Sequence, residues 1–279
     1  METAKNKMGI PLSAILLTLV GRGACLSVNL GLPSKSTSEL KSLLLESSAK
    51  FRAAQEVQWS KEEAMKTAVL NAESVANVES TVSQEADAIR QNTIDLILAL
   101  AERNPTAEPF ANWRTKMPEP LDGDWTRTRQ ARPLDGEWTL EFTTAADATF
   151  RKTEKNPGTA TTYQTIDSTT GFFVNCVDFD SEESKLRGFR VFVRGEKLSD
   201  SEVRLKFRRV KLLRRGRIKA IIIPLPPSWF LRGVARFASR GKAKLSERGA
   251  GFEMLYLDSE LRCHKTFDGQ YFVQKRRTP

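Results

Sequence analysis

Phe189-Arg190-Val191-Phe192-Val193-Arg194 and, a short turn later, Val203-Arg204-Leu205-Lys206-Phe207-Arg208 are the stretches whose reading decides the fold. Phe189, Val191 and Val193 alternate with Arg190, Phe192 and Arg194. Val203, Leu205 and Phe207 alternate with Arg204, Lys206 and Arg208. A period of two belongs to a strand with one packed side and one wet side. Upstream, Trp138, Leu140 and Phe142 alternate with Thr139, Glu141 and Thr143, and Phe173, Asn175, Val177 and Phe179 make a second face. Downstream, 218–223, Gly251–Leu257, Leu261–Thr266 and 271–275 are further candidates. Asn156-Pro157-Gly158 marks a long loop, Arg215-Gly216 divides two strands and Asp268-Gly269 suits a tight hairpin. About eight short antiparallel strands of this kind predict a closed barrel or a sandwich, and an eight-stranded barrel has room for one small apolar ligand.

Ahead of the strands, 38–103 is free of Gly and Pro and rich in Ala, Glu, Lys, Gln and Leu, which predicts helix. Ser60 with Glu63 forms a capping-box pattern that opens a second helix after Trp59. The clearest amphipathic set is Ala86, Ile89, Ile94, Ile97, Leu98 and Ala101, and Asn104-Pro105 ends it. The fold class read from this order is α+β, mainly β: a helical arm at 51–104, a Pro-rich connector at 105–133 and a β domain at 134–277. The connector holds an internal repeat, Pro120-Leu121-Asp122-Gly123-Asp124-Trp125-Thr126 and then Pro133-Leu134-Asp135-Gly136-Glu137-Trp138-Thr139. Only the second copy runs into an alternating strand, so it is taken as the first strand and the other copy as an insertion.

The chain carries a net charge of +10 over 279 residues. The excess is local: between 184 and 249, Lys and Arg far outnumber Asp and Glu, which favours anionic partners. Three cysteines, Cys25, Cys176 and Cys263, have no metal-ligand spacing, and Cys176 and Cys263 read as small core residues. One histidine, His264, leaves most acid–base mechanisms without their usual base and reads as an exposed or hydrogen-bonded structural residue. There is no Gly-rich phosphate loop, no Gly-x-Ser-x-Gly elbow and no two-His site. An enzyme would have to work with Asp135, Asp167 or Asp258 alone, so no catalysis, metal or cofactor is expected.

The N-terminus reads as an address. Lys5 and Lys7 precede an apolar run over 8–20 and then Gly21-Arg22-Gly23-Ala24-Cys25, the order of a signal peptide at 1–25. The run is too short to span a bilayer. A Ser-, Leu- and Lys-rich stretch at 26–50 is transit-like, although it contains Glu39 and Glu46. A bipartite plastid address and an ordinary secretory signal both fit these residues.

The final stretch, Tyr256-Leu257-Asp258-Ser259-Glu260-Leu261-Arg262 followed by Phe267-Asp268-Gly269-Gln270-Tyr271-Phe272-Val273, resembles the C-terminal signature of the plastid lipid-associated protein (fibrillin) family. Asn104-Pro105-Thr106, Leu134-Asp135-Gly136-Glu137-Trp138 and Ile223-Pro224-Leu225-Pro226 resemble its other motifs, in the same order. The resemblance implies a lipocalin-like antiparallel β-barrel at thylakoids or plastoglobules, binding or organising lipids, prenylquinones or carotenoids. Within such a barrel the expected lipid-facing residues are Trp138, Leu140, Phe142, Phe173, Asn175, Val191, Leu205, Phe207, Met254 and Tyr256. The family-signature residues are Asp135, Gly136, Asp258, Leu261 and Arg262. Asp258 and Arg262 flank a turn and are expected to pair, either as a clamp or around a headgroup.

The expected docking surface is the basic run Arg204, Lys206, Arg208, Arg214, Arg215 and Arg217, together with Trp229, Phe230, Arg232, Arg236 and Phe237. The last five lie in a basic amphipathic segment that fits either an interfacial helix or a lid over the barrel. The leading expectation is a lipid binder that meets an anionic membrane. A coat on lipid bodies without an internal ligand is the alternative. A nucleic-acid module ranks below both, because outward aromatic residues for base stacking are lacking among the basic positions.

Overall fold

The computed structural model describes residues 32–67, 75–114, 132–145, 160–182, 186–225 and 248–277, and side chains within them except those of 61–83. The chain divides into two units, Met1–Lys35 and Ser36–Pro279. Of the first, a short 3-10 turn at Leu32–Ser34 is described. All other described elements belong to the second.

Helix α1 spans Thr37–Thr67. Its cap is Ser36: the Glu39 amide donates to Ser36 Oγ, and the Ser36 amide donates back to Glu39 Oε2 at 2.6 Å. The expected second start at Ser60 is therefore absent. The helix runs straight through it, and Ser60 Oγ donates to the Glu56 carbonyl one turn back. Helix α2 spans Val75–Ala101. The two helices pack together, with a Ser47–Thr93 hydroxyl pair at 2.7 Å between them, and Leu40, Leu44, Leu96, Ile97 and Leu100 on them have essentially no exposed surface. The boundary expected at residue 50 thus falls inside α1, whose buried residues begin at Leu40.

The strands are β1 Gly136–Thr143, β2 Ala160–Asp167, β3 Phe172–Phe179, β4 Leu186–Lys197, β5 Glu202–Arg214, β6 Ala220–Pro224, β7 Gly251–Leu257, β8 Leu261–Thr266 and β9 Tyr271–Arg276. Strand β2 is not among the strands the sequence predicts, because its inward positions Thr162 and Gln164 are polar and hide the alternation. All strand pairs are antiparallel, in the order β4-β3-β2-β1-β9-β8-β7-β5-β6, and β4 also pairs with β5. That last pairing closes the sheet into a ring. The closure at β5–β7 is short, Glu202–Arg204 against Gly251–Glu253, and from Arg209 onward the same edge of β5 is taken by β6. Among the described residues no strand other than β5 pairs with β6.

One end of the ring is plugged. Phe110 and Trp113, from the segment read as a connector, pack with Leu134, Trp138, Phe173, Val193, Phe252 and Leu257. The Phe110 amide donates to Asp200 O, Trp113 Nε1 to Gly195 O at 3.0 Å, and the Arg114 amide to Ser168 O. Gly195 is required here: a Cβ would stand 2.6 Å from the Trp113 ring.

Candidate functional site

Register and bulges decide which residues face the interior. Trp138 pairs with Gln164, which pairs with Asn175, which pairs with Val191, so these four share a side. Phe173 pairs with Val193, which pairs with Phe207, and Leu205 pairs with Gly195, on that same inward side. Met254 pairs with His264, and Leu140 with Gln274. Eight of the expected lining residues therefore face inward.

Phe142 and Tyr256 do not. A bulge between Leu140 and Phe142 and another between Met254 and Tyr256 reverse the alternation. Both side chains turn outward and are buried under the helices: Phe142 meets Phe51 of α1 with ring centroids 5.0 Å apart. Val273 and Cys263 lie between them in register, each without exposed surface. A one-residue slip exchanges faces, and sequence alternation cannot register it.

The interior is not uniformly apolar. Arg262 on β8 is fully buried, its Nη2 donating to Gln164 Oε1 at 2.6 Å and to Gln274 Oε1. Its guanidinium lies 5.4 Å from the Trp138 ring centroid. Burial, with Arg276 nearby, pulls its pKa down to about 9. His264, two residues along the strand, is buried rather than exposed, stacked on Phe272 at 4.8 Å and against Phe252 at 4.4 Å. Burial and then Arg262 hold its pKa well below the ordinary imidazole value, so the ring is neutral.

The expected Asp258–Arg262 pair is absent, because Arg262 points into the ring. Asp258 instead faces helix α1. Its Oδ2 accepts from Lys41 Nζ at 2.8 Å and from Tyr256 OH at 2.7 Å, while Oδ1 accepts the Glu260 and Leu261 amides. Burial opposes ionisation, but these donors outweigh it and hold the carboxyl below its usual range. Asp258 is thus a clamp, with a partner that spacing could not reveal. Asp135 Oδ1 accepts the Ser168 amide, and burial raises its pKa. Asp167 Oδ1 caps the following turn at Thr169 and Thr170. Asp167 thus holds a turn, Asp258 an ion pair with Lys41, and Asp135 the backbone at Ser168. Gly136 begins β1 at φ +119°, beside Arg276, which donates to the Pro133, Asp135 and Ser259 carbonyls. Leu261 is buried at the start of β8.

The outer wall has two characters. Over β1, β7, β8 and β9 it lies under the helices. Over β2–β5 it is basic, with Arg204 and Lys206 outward and each near Glu196, at 3.6 and 3.0 Å. Alternation does not run through Arg208: a register shift there puts Arg209 and Lys211 on the outward side. Aromatic residues do stand on this wall, contrary to expectation, but arginines already cover them. Arg209 lies 4.3 Å from the Phe192 centroid, Arg194 4.9 Å from Phe172 and Arg190 5.4 Å from Tyr163. That leaves the rings closed to base stacking.

Where β5 turns into β6, Arg215, Arg217 and Lys219 are exposed, with Arg214 half-buried. Ile218, Ile221, Ile222 and Ile223 are exposed beside them, Ile218 at 60 %. The sequence pattern at 218–223 predicts a strand but does not signal this exposure. Trp229, Phe230, Arg232, Arg236 and Phe237, the signal segment and the first copy of the repeat lie outside the described residues. No described helix is long and apolar enough to cross a membrane.

The PAP_fibrillin family model matches residues 116–275 of the chain. No curated protein and no solved structure matches.

Proposed function

Because the chain belongs to the PAP_fibrillin family, the plastid lipid-associated proteins, we propose that it holds a lipophilic molecule inside its ring, acting as a lipocalin-like barrel, and docks on anionic plastid membrane or plastoglobule surface through the β5–β6 hairpin. The observation that carries the docking half is the tip of that hairpin. Four isoleucines stand in solvent among Arg214, Arg215, Arg217 and Lys219. Exposed apolar side chains at a strand edge are a liability unless something covers them. A headgroup layer offers acyl chains to the isoleucines and charge to the cations. The basic outer wall, Arg204 to Lys211, adds long-range attraction rather than insertion.

Each cation near an anionic surface contributes about 1 kcal/mol, so replacing Arg215, Arg217 and Lys219 by Gln lowers affinity for phosphatidylglycerol vesicles by about a hundredfold. Co-sedimentation at low and high ionic strength tests this. Pelleting that ignores both salt and the triple substitution refutes docking through the hairpin.

A coat without an internal ligand is the second reading, supported by the Phe110–Trp113 plug that fills one end of the ring. Native mass spectrometry of protein purified from its organelle separates the two: retained lipid favours the carrier, bare protein the coat. The address segment is proposed to end before Ser36 rather than at residue 50, since cleavage at 50 would remove Leu40, Leu44 and Lys41 from the helix that packs on the sheet.

A further inference from the structure

Arg262 lacks what buried cations ordinarily have. A guanidinium carries five N–H donors and stays protonated in proteins. The Nη2 protons reach Gln164 and Gln274, while Nε and Nη1 have no acceptor. Among the described residues no carboxylate pairs with it. His264 Nδ1, inward on the same strand, is also unpartnered. Around them Gln164, Asn175 and Gln274 make a polar belt on neighbouring strands, and Gln164 is held in turn by Asn175. Trp138, Val191 and Met254 supply apolar surface on the same inward side.

A buried charge left without a counter-ion is strongly unfavourable, and removing a partner from such a charge is among the costliest changes in a core. The arrangement is complete only with an acceptor, and a negatively charged acceptor suits it best. The other guanidinium beside Trp138, Arg276, is engaged with three carbonyl oxygens, and His264 is neutral. One uncompensated positive charge therefore faces the interior.

We propose that Arg262, with Gln164, Gln274 and His264 around it, forms a head-group site for a monoanionic lipid, a long-chain carboxylate whose chain lies along the apolar lining. This rests on reading the interior as a lipid site, and it narrows that reading from lipids in general to acids. A phosphate dianion would bring more charge than the belt can balance. A neutral quinone or ester could fill hydrogen bonds but would leave the guanidinium unneutralised.

The test uses the full chain in vesicle-free buffer, with oleic acid and methyl oleate below their aggregation limits, each displacing a fluorescent fatty acid. Oleate should bind about tenfold to a hundredfold more tightly than the ester, the range for a charge-assisted hydrogen bond. Arg262→Gln should abolish the preference, so that oleate and methyl oleate bind alike. In the ligand-free protein, Arg262→Met should raise the thermal midpoint, because it deletes an unpaired buried charge. A guanidinium that merely braces the core would give the opposite shift, and a lowered midpoint overturns the proposal. Equal binding of acid and ester by the unaltered protein overturns it too, while leaving lipid uptake intact. Failure of both ligands, with vesicle docking retained, overturns the interior site altogether.

Discussion

Removing the Asp258 carboxylate should loosen the attachment of α1 to the sheet by an amount that can be worked from its partners. Its side chain is 17 % exposed and accepts from Lys41 Nζ, Tyr256 OH and two amides of its own turn. The Glu260 amide is exposed, so water can replace the carboxylate there. The Leu261 amide, Tyr256 OH and Lys41 are half-buried and lose more. Charge-assisted bonds contribute about 1.5–3 kcal/mol each, but they share one acceptor and do not add, so Asp258→Ala is expected to cost about 3 kcal/mol. For a unit of this size that lowers the thermal midpoint by about 6–12 °C. Urea unfolding of Asp258→Ala, Lys41→Met and the double variant isolates the bridge. A coupling of about 1 kcal/mol is expected, since both side chains are mostly shielded from solvent. The carboxyl titrates below its unfolded value, so its stabilising effect is complete above about pH 4 and disappears as the pH falls through the folded value. The gap between the unaltered protein and Asp258→Asn should accordingly close in acid. Additive single effects, or a gap that persists at low pH, would refute the clamp.

Leu44→Ala should cost about 2–5 kcal/mol, because Leu44 on α1 has no exposed surface. A loss below about half a kcal/mol in urea unfolding would mean that 37–50 is not part of the fold. His264 titrates far below its unfolded value of about 6.5, held there by burial and by Arg262 facing it. The unfolded chain therefore takes up a proton first, and stability declines as the pH falls below about 6.5, by up to about 1.4 kcal/mol per pH unit. His264→Phe should flatten the decline between pH 6.5 and 5. As the sequence contains one histidine, a single imidazole resonance reports the titration directly, and a normal midpoint would contradict the buried, neutral ring.

The outward Arg204 and Lys206, the buried thiols Cys176 and Cys263 and the β1 start at Gly136 were all legible in the sequence, because the period of two and the turn residues are local properties of the chain. So was the helical character of 38–103, which follows from propensity. Strand β2 escaped because its inward positions are polar, and those same positions supply Gln164 to Arg262. Phe142 and Tyr256 were assigned to the wrong face because a bulge adds one residue and leaves no trace in composition. The capping box was sought at Ser60, where the pattern matches, yet Ser36 performs it, since a cap requires a chain that arrives from outside a helix.

What the sequence determined by itself was the inventory: short antiparallel strands with one greasy side, a helical lead and cations gathered into one region. Tertiary structure decided the partners. Asp258 and Arg262 stand four residues apart, yet one binds a helix more than two hundred residues away in the chain and the other enters the ring beside two glutamines. Side-chain periodicity fixes only which side of a strand a residue takes, whereas the neighbour it meets there depends on register, bulges and closure, which are settled when distant strands pair.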